Sequence, residues 1–228
     1  MPTPPWELPG PLGGPVLAGP APAAGLASGS IVLAWLVTGG LVLLAVAGGY
    51  SEDTWVEAAQ RGESYIGAGF TPFLGVSLII APLVVAAYVV ACLWLQASRA
   101  FVAVRNPSAR RRRSTGWIWF AWFVPVVQIW FPYEVVRDVE RATVRGRRAF
   151  GAVAWWLCWL MGLLLIWSGY QWTGGFLGAD PLTDSASSIH ENYTVLAGFA
   201  VIACALWTRI VVGVRNGQRA MVAGLLRG

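Results

Sequence analysis

The chain is 228 residues long, 57% hydrophobic and only 12% charged, with a mean hydropathy of +0.60. An ordinary soluble domain carries about twice that charge, so the composition excludes one and calls for lipid as solvent. All 16 basic residues are arginine, against 11 acidic ones, and a net charge of +5 is explained by loops facing anionic lipid before any nucleic-acid partner is invoked.

Met1 to Ala27 holds eight prolines (2, 4, 5, 9, 11, 15, 20 and 22) and the single charge Glu7. It is expected to be a disordered tail, since prolines at that density remove backbone donors and break helices. No Lys or Arg precedes the first apolar run, which argues against a cleavable signal peptide.

Four stretches meet the roughly 20 apolar residues that a helix needs to cross a hydrocarbon core of about 30 Å. They are Ser28 to Gly48, Phe70 to Gln96, Ala149 to Trp172 and Tyr193 to Val214. Cys92, Cys158 and Cys204 each fall inside a different one, where they read as small hydrophobes and not as a disulfide framework. The loop Gly49 to Gly69 carries Glu52, Asp53, Glu57 and Glu63 against Arg61, and the loop Thr173 to Asn192 carries Asp180, Asp184 and Glu191 with no arginine. Residues 97–148 hold eleven arginines and the stretch from Arg209 holds four more, so 15 of the 16 fall on one side. Arginine is retained in the cytoplasm, which makes the acidic loops external and both termini cytoplasmic.

Between the second and third spans lies a shorter apolar run, Gly116 to Phe131. As a helix its 16 residues reach about 24 Å, short of a crossing, and arginines flank it on both sides. Trp117, Trp119, Trp122 and Trp130 prefer the headgroup level and Pro125 interrupts the helix, so the run is expected to be re-entrant or interfacial, with a true fifth span as the alternative. An amphipathic helix follows over 133–148, in which Val135, Val136, Val139 and Ala142 alternate with charges after Pro132. The fold class expected is all-α integral membrane: four spans within residues 28–219, this re-entrant element, the amphipathic helix, and a short tail over 220–228.

The run Trp122-Phe123-Val124-Pro125-Val126-Val127-Gln128-Ile129-Trp130-Phe131-Pro132-Tyr133, followed by Val135-Val136-Arg137-Asp138-Val139, resembles the signature of a bacterial membrane family, domain of unknown function 4328, common in actinobacteria. The resemblance covers about Val32 to Arg219, with Trp94 and Gln218 also in keeping. It implies several spans and no assigned activity. Two positions depart from the pattern: Gln128 stands where the family usually has Asn, and Glu140 and Arg141 stand near the place of a closing tryptophan. Physically, two prolines seven apart free backbone groups at membrane depth, and Gln128 is the polar side chain between them that can satisfy those groups.

The candidate site residues are therefore Trp122, Phe123, Pro125, Gln128, Pro132, Asp138 and Arg209, with a lipid-facing basic set of Arg110, Arg111, Arg112, Arg113, Arg145, Arg147 and Arg148. Arg209 is the one charge inside the spans, and two partners are open to it: a carboxylate of the amphipathic helix, Asp138 ahead of Glu134, or a lipid phosphate reached by snorkelling. Ser77, Ser98 and Ser168 have no visible base and the spans hold no His, Asp or Glu, so no enzyme is expected. Nor is a cofactor or metal expected, because Asp180, Asp184, His190 and Glu191 read as a solvated acidic loop. The expected role is a scaffold or regulator in the bacterial cell membrane, contacting anionic lipid, a protein partner or further copies of itself. The alternative is a small transporter or channel subunit, although the spans offer little ionisable lining.

Overall fold

The computed structural model describes residues 21–63, 69–107, 113–124, 126–144, 150–172 and 189–224. Most of the proline-rich tail, Arg110, Arg111, Arg112, Pro125, Arg145, Arg147, Arg148, Asp180 and Asp184 lie outside the described residues. Among those described, every regular element is helical: α1 (Ala24–Gln60), α2 (Pro72–Arg105), α3 (Trp117–Phe120), a 3-10 turn (Val127–Ile129), α4 (Phe131–Thr143), α5 (Phe150–Trp172) and α6 (Ile189–Val222).

The apolar runs are the middles of these helices and not their limits. The first helix starts at Ala24, inside the segment expected to be a disordered tail, because the last proline is Pro22 and Ala27 and Ser30 then bury against the bundle. At the other end it runs well beyond Gly48 and takes in much of the acidic segment expected to be a loop. Ser51, Trp55 and Ala58 recur at helical spacing and are fully buried. The Ser51 hydroxyl donates to the Ala47 carbonyl at 2.7 Å and accepts from the Phe73 amide at 3.3 Å, which fixes α1 to the start of α2. The helix then stops in a Schellman turn: Gly62 takes φ 66°, with Gly62 N–H on the Ala59 carbonyl and Glu63 N–H on the Ala58 carbonyl.

At the start of α2 the Thr71 hydroxyl accepts from the Leu74 amide at 3.3 Å, and Pro72 occupies the first turn, where its missing donor matters least. The helix continues past Gln96 to Arg105, since Ser98, Arg99, Phe101 and Val102 are all buried. The amphipathic helix occupies 131–143 where 133–148 is expected. Phe131 and Pro132 are its first residues, and Val135, Val136 and Val139 form its buried face. Likewise α6 exceeds its expected span 193–214 at both ends. His190 Nδ1 lies 2.8 Å from Glu52 Oε2 at one end, and Gln218 is buried at the other.

Three helices, α1, α2 and α6 from His190, are long and apolar enough to cross a membrane. The fourth expected span coincides with α5, which is 23 residues long and has Gly151–Ile166 as its described apolar part. Helix α1 packs between α2 and α6, and α5 packs on the far side of α6. Two clusters fill the interior. At the acidic end Trp55, Phe73 and Tyr193 meet edge to face. At the arginine-rich end a larger cluster gathers Trp94, Trp155, Trp156 and Trp207 from three helices around Val135, Val136 and Val139 of α4. Elsewhere the long helices turn mostly exposed apolar side chains outward, Leu43, Ile79 and Ile202 among them. Such a surface belongs in hydrocarbon, where helices are held by close packing and polar contacts in place of a hydrophobic drive.

Candidate functional site

The segment 113–143 closes the arginine-rich end of the bundle, where α3 and α4 touch α2, and α4 also reaches α5 and α6. Helix α3 is a single turn, too short to satisfy its own carbonyls, and its neighbours do so. Tyr88 Oη donates to the Trp119 carbonyl, while Cys92 Sγ and Trp122 Nε1 both donate to the Ile118 carbonyl, at 3.3 and 2.9 Å. The 3-10 turn that follows is held by Trp156 Nε1 on the Ile129 carbonyl at 2.8 Å. Each of these bonds removes an acceptor that would be expensive to leave bare away from water.

Trp122, the first residue of the quoted motif, is the hub. Its ring meets those of Trp155, Trp156 and Trp159 edge on at 6.5, 6.5 and 5.6 Å, and that of Tyr88 at 6.5 Å. Phe123 meets the Tyr88 ring edge on at 5.3 Å yet is 68% exposed, and Phe120, Val126 and Ile129 are exposed as well. The element is thus sewn in by indoles on one side and presents an apolar tip on the other. Gln128 is half-buried, and among the described residues its amide makes none of the supporting bonds expected of it. Phenol, thiol and indole groups from α2 and α5 take that part, because they already project from rigid helices at the right height. Pro132 is buried in the first turn of α4, and Pro125 lies outside the described residues.

Two ion pairs lock α4 down. Arg113 Nε lies 2.6 Å from Glu134 Oε2 with its guanidinium stacked 3.7 Å over the Phe131 ring. Arg99 Nη1 donates to the carbonyls of Arg113 and Ser114 at 3.2 and 3.3 Å, while Nη2 sits 3.9 Å from Asp138 Oδ2. One guanidinium thereby ties α2 to both the incoming loop and the amphipathic helix. At the far end of α4, Gly217 of α6 passes so close that a Cβ there would overlap the Thr143 carbonyl.

The expected pairing of Arg209 with Asp138 gives way to this arrangement. Asp138 belongs to Arg99, which the sequence reading did not single out, and Arg209 lies exposed on α6. A signal for Arg99 was present: Tyr88, Cys92, Leu95 and Arg99 follow one another at 4, 3 and 4 residues and therefore share one helix face. It was obscured because the span was ended at Gln96. Of the lipid-facing basic set, Arg113 is the described member, and it is engaged internally by Glu134.

Residues 67–216, the greater part of the chain, match the family described as "Domain of unknown function (DUF4328)". No curated protein and no solved structure matches the chain. The match takes in α2 to α5, most of α6 and the whole Trp122 hub, whereas α1, included in the expected extent from Val32, lies before it. The hub and the quoted motif thus fall together inside the matched segment, and the chain belongs to the DUF4328 family.

Proposed function

We propose that the chain is a non-enzymatic scaffold or regulator of a bacterial plasma membrane, crossing it four times with both termini in the cytoplasm. In this reading α5 is the fourth span and residues 116–131 dip into the inner leaflet and return. The observation that carries it is the matching of charge at the arginine-rich end. Glu134 and Asp138 are taken up by Arg113 and Arg99, while Arg105, Arg141 and Arg219 are exposed. These exposed arginines, at the same end as the exposed Phe120, Phe123, Val126 and Ile129, suit anionic headgroups, with about 1 kcal/mol from each arginine near such a surface before screening. The same surface suits an acidic protein partner.

The test is purification from native membranes after crosslinking, with lipid analysis of the product. Enrichment of anionic phospholipid, or a stoichiometric protein partner, supports the reading. Saturable solute flux through proteoliposomes of the pure chain would overturn it in favour of a small transporter or channel subunit acting as an oligomer.

A further inference from the structure

The buried face of α6 at the arginine-rich end carries Cys204, Trp207, Val211, Val214 and Gln218. On the opposite face Ile202, Ala205, Arg209 and Asn216 are exposed, so Arg209 belongs to a stripe that is otherwise apolar for two turns on its acidic-end side. Among the described residues Arg209 forms no ion pair, while on α4 Asp138 lies against Arg99, Glu134 against Arg113, and Glu140 is also engaged.

Its depth can be read from the tryptophans. Trp94 of α2 and Trp207 of α6 meet at 5.4 Å and so mark one level. Arg99 lies five residues beyond its tryptophan and Arg209 only two, so the Arg209 backbone sits nearer the acidic end than that of Arg99. Snorkelling is also handicapped. Helix α6 runs toward the arginine-rich end and Cα–Cβ bonds tilt toward a helix's N-terminus, so this side chain leaves the backbone heading for the bilayer centre. A guanidinium so placed needs an anion brought to it.

Beside it a polar notch is already formed. Trp35 of α1, 43% exposed, donates its indole N–H to Thr208 Oγ1 at 3.1 Å, and Thr208 in turn donates to the Cys204 carbonyl at 2.9 Å. The notch joins α1 to α6, and Val32 and Leu36 of α1 and Ile202 of α6 are exposed on the same helices.

Resting on the membrane reading above, we propose that Arg209 and the Trp35–Thr208 pair form a binding site for one anionic phospholipid. The phosphate sits on the guanidinium, the indole lies at the level of the glycerol, and the acyl chains follow the seam between α1 and α6. The site is separate from the motif tip, which projects from the α3–α4 segment.

Native mass spectrometry of the full chain in detergent, titrated with phosphatidylglycerol, tests this. The wild type should hold one tightly retained lipid. Arg209→Gln should weaken retention about fivefold or more. Arg209→Lys should keep part of it, because an ammonium lacks the bidentate fit to phosphate. Arg61→Gln, which removes an arginine at the acidic end, should leave it unchanged. Equal retention by wild type and Arg209→Gln would overturn the proposal, as would equal losses in Arg209→Gln and Arg61→Gln, which would reduce the effect to diffuse charge. Displacement of the lipid by millimolar inorganic phosphate would make this a free-anion site and overturn the lipid assignment. A shift in oligomeric state with Arg209→Gln at unchanged lipid retention would instead give the guanidinium to a second copy's carboxylate. If Arg209→Gln is not recovered folded, Arg209→Lys and Trp35→Phe decide, and unchanged retention in both overturns the site. Release of the wild type from membranes by alkaline carbonate would sink the membrane reading itself, an outcome separate from all of these.

Discussion

Arg99 and Asp138 bring opposite charges to 3.9 Å where each side chain is a tenth exposed or less. Such a pair adds little over a well-packed apolar substitute, but removing either member withdraws part of the other's compensation at a buried position. Arg99→Met and Asp138→Leu should therefore each destabilise the protein by about 3 kcal/mol in detergent unfolding, with the arginine change the larger because it also frees the Arg113 and Ser114 carbonyls. The double variant should lose markedly less than the sum. Strict additivity in that cycle would mean that the two residues act separately and that α4 is held by the Arg113–Glu134 pair and by Val135, Val136 and Val139. The same comparison explains why Arg209 could not be paired on paper. Its depth in the sequence is plain, but the claim on Asp138 is decided by which helix outlasts its apolar run, and that depends on buried Ser98, Phe101 and Val102.

Helix α3 and the 3-10 turn illustrate how much an irregular element depends on its neighbours. Trp156 carries the bond to the Ile129 carbonyl, so Trp156→Phe keeps most of the ring area and strands one acceptor. A loss of about 1 to 3 kcal/mol is expected by thermal unfolding. Trp159→Phe, which trims a ring that meets Trp122 edge on, serves as the comparison and should cost less. Equal losses would place the stabilisation in ring packing and not in the hydrogen bond. From the sequence, the tryptophans and prolines of this segment were legible as an interrupted, interface-seeking run, because composition and spacing carry that information. The identity of the supports was not, since Tyr88, Cys92 and Trp156 look like ordinary lipid-facing or core residues until the fold brings them to the Trp119, Ile118 and Ile129 carbonyls. The end of α1 was missed for another reason: dense acidic residues read as a loop, although Ser51, Trp55 and Ala58 kept a helical period beneath them. That end carries its own prediction. Arg61 donates to Glu63 at 2.9 Å, and this hydrogen bond holds the Glu63 carboxyl below its ordinary range. A depressed carboxyl stabilises the turn above its unfolded pKa, and that contribution is lost as pH falls through the folded value. Amide exchange at Gly62 and Glu63 should therefore quicken, relative to a Glu63→Gln variant at the same pH, as the medium is acidified through the carboxylate range. Parallel behaviour of the two proteins would leave the Schellman turn as the whole of the stop.

Across the molecule, charge is divided end from end. Glu52, Asp53, Glu57 and Glu191 lie at one pole of the bundle, and Arg99, Arg105, Arg113, Arg141, Arg215 and Arg219 lie at the other. The long helices between them expose apolar side chains over most of their length. In the proposed membrane reading, retention of arginine on the cytoplasmic side would set a single orientation, because no loop mixes the two signs strongly enough to compete. The positions for testing it follow from burial. Glu57 is exposed on the acidic-end extension of α1, and Asn216 is exposed on α6, whereas the adjacent Gly217 is closed to any side chain by the Thr143 carbonyl. With Cys158 replaced by alanine, and Cys92 and Cys204 buried, Glu57→Cys should react with an impermeant thiol reagent added to intact cells. Asn216→Cys should react only after the cells are opened. Reporters fused after Thr115 and after Arg148 should both read cytoplasmic if residues 116–131 enter and leave by one face. A second reporter outside would make that run a full crossing and reverse everything beyond it, placing Asn216 outside. Reaction of Asn216→Cys in intact cells with both reporters inside would point to a fault lower down, in α5, which would then return without crossing.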